Sequence, residues 1–375
     1  MNFEIEKKEF LKGLNLIQSV SGRKTTLPIL SHVLMEWQND SLCLTGTDLE
    51  TAIREVLTAQ VHQEGKASVS AKKLYEIVRE LPEKTIRIEK RENHWVKLQC
   101  GKSVFNLAGL DPDEFPSLPS YSKESFTEIK RNILLEMIEK TVYAASNEES
   151  RYHLNGVFLV QKKQGGKEFL RMVATDGHRL SLIDREGPLI RGIEKGVILP
   201  KKGVLEIRKI MGDREGEERM EIYFDPTHAF LKMGKSLVII RLIDGEFPEY
   251  DQVIPKENDK KLVLGKEEVY STLRRVSTMV SERVEGIKLA FKKEGVEISS
   301  YNQDFGDAKE EVEVAYEGTP FEIGFNARYL LEALTVIDQE EVVMEVKDEG
   351  SPGLLRPSVF NETSNQICII MPMRI

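Results

Sequence analysis

The sequence predicts an α+β protein of three similar domains, each built from two helices on a mostly antiparallel sheet. Two recurring phrases and one periodicity carry that prediction. The first phrase reads Phe3-Glu-Ile-Glu-Lys-Lys-Glu-Phe-Leu, then Phe126-Thr-Glu-Ile-Lys-Arg-Asn-Ile-Leu, then Leu262-Val-Leu-Gly-Lys-Glu-Glu-Val-Tyr. The second reads Ala67-Ser-Val-Ser-Ala-Lys-Lys-Leu-Tyr, Val197-Ile-Leu-Pro-Lys-Lys-Gly-Val-Leu and Phe321-Glu-Ile-Gly-Phe-Asn-Ala-Arg-Tyr-Leu. Their spacings, 123 and 136 residues for the first and 130 and 124 for the second, describe one unit used three times. Asp113-Glu-Phe-Pro116 and Gly245-Glu-Phe-Pro248 suit linkers, so the domains are set at 1–125, 126–253 and 254–375.

Each phrase reads as a short strand running into a helix. Apolar residues at helical spacing follow in all six cases: Phe10/Leu14/Ile17, Leu74/Ile77/Val78/Leu81, Leu135/Ile138/Val142, Val204/Ile207/Met211, Val269/Leu273/Val276 and Leu330/Leu334/Ile337. Amphipathic helices are therefore expected over 7–20, 71–82, 130–142, 200–211, 265–276 and 326–337. Between them lie alternating runs rich in β-formers, such as 41–49, 85–107, 219–242 and 295–314, broken by turn residues like Gly165-Gly166. Helices laid on antiparallel sheets make an α+β layer arrangement.

A length of 375 residues exceeds one core of roughly 100 to 150 residues. With 40% hydrophobic and 31% charged residues the chain has a globular balance, and no stretch approaches the ~20 apolar residues of a membrane span. No membrane and a cytoplasmic setting are expected. Cys43, Cys100 and Cys368 lie far apart and signal neither a disulfide framework nor a zinc site; they read as buried thiols. The net charge of −9 excludes a protein that coats nucleic acid with its whole surface. The six helical windows nevertheless carry +8, which leaves −17 elsewhere, so positive charge is concentrated on the helices. If the helices of equivalent units share one side, they form a weakly basic surface.

Catalytic and cofactor motifs are mostly excluded. Gly101-Lys102-Ser103 and Gly234-Lys235-Ser236 lack the upstream glycine of a phosphate loop, Val96 and Ala229 standing there instead, and both fall in strand-like runs. There is no G-x-G pair, no G-x-S-x-G elbow and no helical histidine pair. No cofactor, metal or catalytic residue is assigned. Ala174-Thr-Asp-Gly-His-Arg-Leu180 is the chemically dense segment. General acid–base work, a structural turn and a binding surface remain open there; on a strand Asp176 and His178 would share a face and Arg179 would not. The tail Cys368-Ile-Ile-Met-Pro-Met-Arg-Ile375 is apolar for a terminus and reads as a last sheet strand or as the wall of an apolar groove.

Along essentially its whole length the chain resembles the bacterial sliding clamp, the beta subunit of the replicative DNA polymerase III holoenzyme. The residues that carry the resemblance are Thr26-Leu-Pro-Ile-Leu30, Leu44-Thr-Gly-Thr-Asp-Leu-Glu50, Arg151-Tyr-His-Leu-Asn-Gly156, Ala174 to Leu180, Gly245 to Pro248, Phe321 to Asn326 and Met371-Pro-Met-Arg374. The resemblance implies a non-catalytic processivity factor of clamp fold, a homodimer closed head to tail into a ring that encircles double-stranded DNA. It implies a hydrophobic pocket where the replicative polymerase, the clamp loader and other proteins bearing clamp-binding peptides dock. That pocket would take Leu154, Thr175, Gly177, His178, Arg179 and Leu180 from one segment and Pro248 and Val253 from the next. Asn326 and Tyr329, then Met371, Pro372, Met373 and Arg374, would complete it. DNA-facing positions would be Lys24, Tyr152 and His153; charge alone adds Arg23, Lys72, Lys73, Lys201 and Lys202. Gln252, where an Arg is common, and Val284, in place of an aromatic, depart from the family pattern, and no pocket residue is carried over from the 348–356 loop.

Overall fold

The computed structural model describes residues 1–21, 26–122, 125–212, 216, 218–280, 286–293, 295–314, 316, 318–359, 361 and 363–374. Arg23, Lys24 and Val284 lie outside the described residues. Six α-helices are described: α1 (Lys7–Ser21), α2 (Ala71–Glu80), α3 (Arg131–Glu139), α4 (Lys201–Gly212), α5 (Lys266–Val276) and α6 (Ala327–Thr335). Each follows directly on a strand: Asn2–Glu6, Lys66–Ser70, Thr127–Lys130, Val197–Pro200, Lys260–Gly265 and Phe321–Asn326. These are the six strand-to-helix phrases of the repeat. None of the described helices is long and apolar enough to cross a membrane.

Side-chain hydrogen bonds fix some of these junctions. Ser70 Oγ accepts from Lys73 N at 3.4 Å at the start of α2, and Asn326 Oδ1 accepts from Tyr329 N at 3.2 Å at the start of α6. Three helices stop short of the expected windows, α6 at Thr335 as well as α2 and α3. Leu81 precedes Pro82, whose ring disfavours helical geometry in the residue before it, and Leu81 is extended (φ −69, ψ 154) while remaining in the core. After α3, Thr141 leaves helical geometry at φ −126 and its hydroxyl donates to Met137 O at 2.7 Å, so Val142 falls in a separate 3-10 turn.

The chain forms two compact units. The first comprises Met1–Arg131, Ile190–Gly192 and Leu205–Leu242. It contains a five-stranded sheet, Gln60–Gln63, Asn2–Glu6, Thr85–Lys90, Val96–Cys100 and Ser103–Leu107 in spatial order. It also contains a nine-stranded sheet in which Thr51–Leu57 pairs antiparallel with Ser236–Arg241 at Ile53↔Val238, joining the first repeat to the second. Phe10, Leu14 and Ile17 of α1 and Leu74 and Val78 of α2 are buried on this framework, as their spacing requires.

The second unit comprises Asn132–Leu189, Ile193–Val204 and Ile243–Ile375. Its eight-stranded sheet places the C-terminal strand Ser364–Ile370 between Arg179–Glu186 and Gly353–Pro357, with Arg179↔Ile370 at one end of the ladder. A four-stranded sheet, Gly306–Glu313, Gly295–Asn302, Gly286–Lys292 and Phe321–Asn326, packs with α5 and α6 around a core holding Leu273, Phe291, Phe325, Leu330 and Leu334.

The two Gly-Lys-Ser triplets turn out to be hairpin corners rather than strand interior. Cys100↔Ser103 and Met233↔Ser236 are the last pairs of their ladders, which leaves two-residue loops. Gly101 (φ 58) and Gly234 (φ 54) occupy the first loop position, where the turns that match strand twist need positive φ.

Candidate peptide-binding site

Strands Lys167–Thr175 and Arg179–Glu186 meet at a turn whose polar groups bond mainly to one another. Thr175 Oγ1 donates to Arg179 O at 2.6 Å and accepts from Gly177 N at 3.1 Å. Asp176 Oδ1 accepts from His178 N and Arg179 N, both at 3.0 Å, the side-chain-to-backbone pattern that lets Asp close turns. Gly177 sits at φ 90, and a Cβ there would lie 3.0 Å from the Arg151 guanidinium, so both backbone and space favour glycine.

Because the segment is a turn, the strand-face reading of Asp176 and His178 does not hold. Asp176 Oδ2 accepts from Arg179 Nε at 3.1 Å, and His178 uses its backbone in the turn while its side chain is exposed. An acid–base pair is not assembled. Among the described residues no group of three His, Cys, Asp or Glu is placed to hold a metal.

Arg179 is the hub. Its side chain is 9% exposed, with Nη2 donating to Tyr143 O at 2.9 Å and Nη1 paired with Glu332. The guanidinium stacks on Tyr329 at 4.4 Å and on Tyr143 at 5.2 Å from the ring centroids. Burial pulls its pKa down, but Glu332 and Asp176 more than offset this and hold it above the ordinary arginine value. Burial pushes the Tyr143 hydroxyl and the Cys368 thiol behind it well up or up, so both stay neutral.

The tail then crosses this turn. Met371 N donates to His178 O at 2.9 Å and Met373 N to Gly324 O at 2.8 Å, which pins Met371-Pro372-Met373 between the turn and the strand that enters α6. The sheet-strand reading of the tail holds through Ile370, and beyond it the chain continues as a segment tethered by two backbone bonds. Met371 is 38% exposed, Pro372 and Met373 are half-buried, and Arg374 is exposed.

Leu180 lies in an apolar cluster with Val173, Leu182, Tyr250, Leu354, Ile367 and Ile369, flanked by Phe158, Phe247 and Ile254. Pro248 and Val253 are exposed on either side of the Tyr250–Gln252 turn that feeds this cluster. Leu154 is buried at the end of the 3-10 turn Glu149–Leu154, and Asn326 and Tyr329 are half-buried at the start of α6. Sequence reasoning missed Tyr143, Arg151 and Glu332, which hold the turn, and Leu354, which strand register brings beside Ile369. Gln252 is exposed, its amide directed at Glu249.

The basic positions differ in kind. Lys72 and Lys73 are exposed on α2, Lys73 pairing with Glu76 at 2.7 Å. Tyr152 is 56% exposed and packs edge-on against His153. Lys202 is half-buried. Lys201 is committed internally, donating to Ala145 O at 2.8 Å and Asn147 Oδ1 at 2.9 Å, and burial together with the charge of Arg179 lowers its pKa.

Three family models match in succession: the DNA polymerase III beta subunit N-terminal domain over residues 1–119, the central domain over 128–249 and the C-terminal domain over 251–374. The chain is 36% identical to the beta sliding clamp of Caulobacter vibrioides over 377 residues, with 100% of each chain covered. The crystal structure of the DNA polymerase sliding clamp from Caulobacter crescentus superposes with a TM-score of 0.93 at 36% identity, again covering 100% of each. The sliding clamp from Bartonella birtlesii bound to griselimycin gives a TM-score of 0.95 at 32% identity over 100% of each chain. With its three domains matched in order and its full length shared, the chain belongs to the beta sliding clamps, the non-catalytic processivity factors of DNA polymerase III.

Proposed function

We propose that two copies of this chain close head to tail into a ring around duplex DNA, and that the surface between the Thr175–Leu180 turn and the C-terminal tail captures short peptides. Those peptides belong to the replicative polymerase, the clamp loader and other clamp-binding proteins. The observation that carries the peptide reading is the tail itself. Two backbone bonds hold it, so its thioethers present a formed apolar surface beside the Arg179–Tyr329 stack, and methionine adapts to side chains of different shape.

The ring is supported by two sheet edges. Ser103–Leu107 ends one sheet with Val104 and Phe105 exposed at 49% and 36%, and Gly306–Glu313 ends another beside Tyr301 and Phe305, exposed at 74% and 70%. An unpaired strand edge invites association, the apolar one at Val104 and Phe105 above all, and pairing it with the charged Gly306–Glu313 edge of the next copy would cover both and close when two copies suffice. Lys72, Lys73, Tyr152, His153 and Lys202, with Arg23 and Lys24, would then face DNA through weak contacts that permit sliding, whereas Lys201, held by Ala145 and Asn147, leaves that set. The repeats divide at 1–125, 126–253 and 254–375, and the protein works on the chromosome in the cytoplasm.

The test is retention. Loaded onto nicked circular DNA by a clamp loader, the protein should co-elute with the circle and leave it once the circle is linearised. Retention that survives linearisation overturns encirclement.

A further inference from the structure

The apolar floor of the tail site ends in a charged rung. Side chains alternate along a strand, so Arg171, Val173 and Thr175 point to one face, and pairing sets Thr175 against Leu180, Val173 against Leu182 and Arg171 against Asp184. The C-terminal strand continues each row, with Ile369 beside Leu180, Ile367 beside Leu182 and Asn365 beside Asp184. Val173, Leu180, Leu182, Ile367 and Ile369 all belong to the apolar cluster, and the third row closes it with charge. Arg171 Nε donates to Asp184 Oδ1 at 2.7 Å and Nη2 to Asp184 Oδ2 at 2.9 Å, a two-pronged pair whose side chains are 18% and 8% exposed. Asn365 Nδ2 donates to the same Oδ2 at 3.4 Å.

The remaining prong leaves the sheet. Arg171 Nη1 donates to Asp251 Oδ1 at 3.3 Å, in the Tyr250–Gln252 turn. Tyr250 packs into the floor beside Phe158 and Phe247, at 6.1 and 6.2 Å between ring centroids, and also interacts with the Arg171 guanidinium. Burial pulls the Arg171 pKa down, but Asp184 and Tyr250 outweigh it and hold the guanidinium above the ordinary arginine value, so its charge is permanent. Asp251 is bound from the sheet, whereas Gln252 directs its amide at Glu249 within the turn. Val253 follows directly, exposed, with its N donating to Tyr250 O at 3.1 Å.

We infer that Arg171 is a positioning residue of the peptide site: through Asp251 it sets where the Tyr250–Gln252 turn, and with it Val253, stands against the apolar floor that a peptide side chain enters. The inference rests on the peptide-binding reading of the tail site. Arg171 suits the role because two of its nitrogens are locked on a sheet rung and only the third reaches the turn, so the guanidinium gives up little further conformational freedom in binding Asp251. Asp251 is 62% exposed, which leaves the tie open to screening by salt and removable without disturbing the buried rung.

The test is methyl NMR of the full chain titrated with the uncharged peptide acetyl-Ser-Leu-Leu-Phe-Ser-amide, for the parent protein, Asp251→Asn and Asp251→Glu. Asp251→Asn should bind about threefold more weakly, the scale open to one exposed ion pair, with lower order parameters at the Val253 methyls, unchanged ones at Leu182 and an unchanged melting temperature. Asp251→Glu keeps the carboxylate and should restore both affinity and order. At about 1 M NaCl, where screening acts over ~3 Å, the parent and Asp251→Asn should bind alike. Because the peptide carries no charge, direct contact between Asp251 and a basic ligand cannot produce this result. No saturable shift at the Met371 and Met373 methyls of the parent overturns the tail reading and the inference with it. A parent that binds while Asp251→Asn keeps its affinity or its Val253 order overturns the inference alone, as does a loss that persists at high salt or is not recovered in Asp251→Glu.

Discussion

Arg179 carries a guanidinium largely shielded from solvent, every face of which meets a carboxylate, a carbonyl or an aromatic ring. Removing one member of such a buried ionic group leaves the others uncompensated. Arg179→Met should therefore lower stability by about 3 kcal/mol, seen as a drop in melting temperature. Arg179→Lys should recover little, because an ammonium cannot reproduce the planar fork or the stacking. Glu136 makes a second test at this scale. Burial raises its pKa, but Arg185, with Nε at 2.8 Å, and Lys140 at 3.1 Å outweigh burial and hold the carboxyl below its ordinary value of 4.5. A depressed carboxylate contributes stability above its unfolded pKa, and that contribution disappears as pH falls through the folded value. Melts taken from pH 7 downward should show a smaller loss below pH 4.5 in Glu136→Gln than in the parent protein. In the sequence Asp176, His178 and Arg179 were visible as a dense group, yet catalysis and turn closure use the same side chains. Only their partners separate the two.

At the scale of elements, the site depends on one strand and its continuation. Ser364–Ile370 is fixed by ladders on both sides, whereas Met371 to Met373 is held by two backbone bonds. Met371→Ala/Met373→Ala removes side chains without touching those bonds. The double variant should keep its melting temperature within about 1 °C and lose at least tenfold in affinity for a fluorescent peptide from the polymerase, measured by anisotropy. Unchanged affinity would remove the tail from the site. Helix number and approximate position were legible because a 3.6-residue apolar period survives any tertiary context. Helix ends were less so: Pro82 was a readable stop that a long window overran, and the break at Thr141, after α3 has ended at Glu139, involves a hydroxyl's choice of acceptor. The corners at Gly101 and Gly234 lay inside alternating runs and emerge only from pairing register.

For the whole molecule, the test concerns assembly. Phe105 lies on an unpaired edge at 36% exposure, and Phe105→Asp places a charge where strand pairing between copies would bury it. Sedimentation equilibrium should show a discrete dimer for the parent protein and a shift toward monomer for the variant, with the peptide affinity of the tail site intact. A dimer indifferent to Phe105→Asp would place the contact elsewhere. The joint between repeats in the first unit shows why such pairings resist sequence reading: Ile53 meets Val238 across about half the length of the chain, and many apolar strands offer equally good local patterns.

The repeat, the strand-to-helix order, the apolar faces of the helices and the concentration of positive charge on them follow from the sequence alone, because periodicity and local propensity act over a few residues. Which strands neighbour one another, that Leu354 comes beside Ile369, that Lys201 turns inward to Ala145, and that Arg179 is enclosed by Asp176, Glu332 and two tyrosines were decided by the tertiary structure. Those outcomes depend on long-range complementarity of buried surfaces and on the need of every buried polar group for a partner, and both are set only when the whole chain has packed.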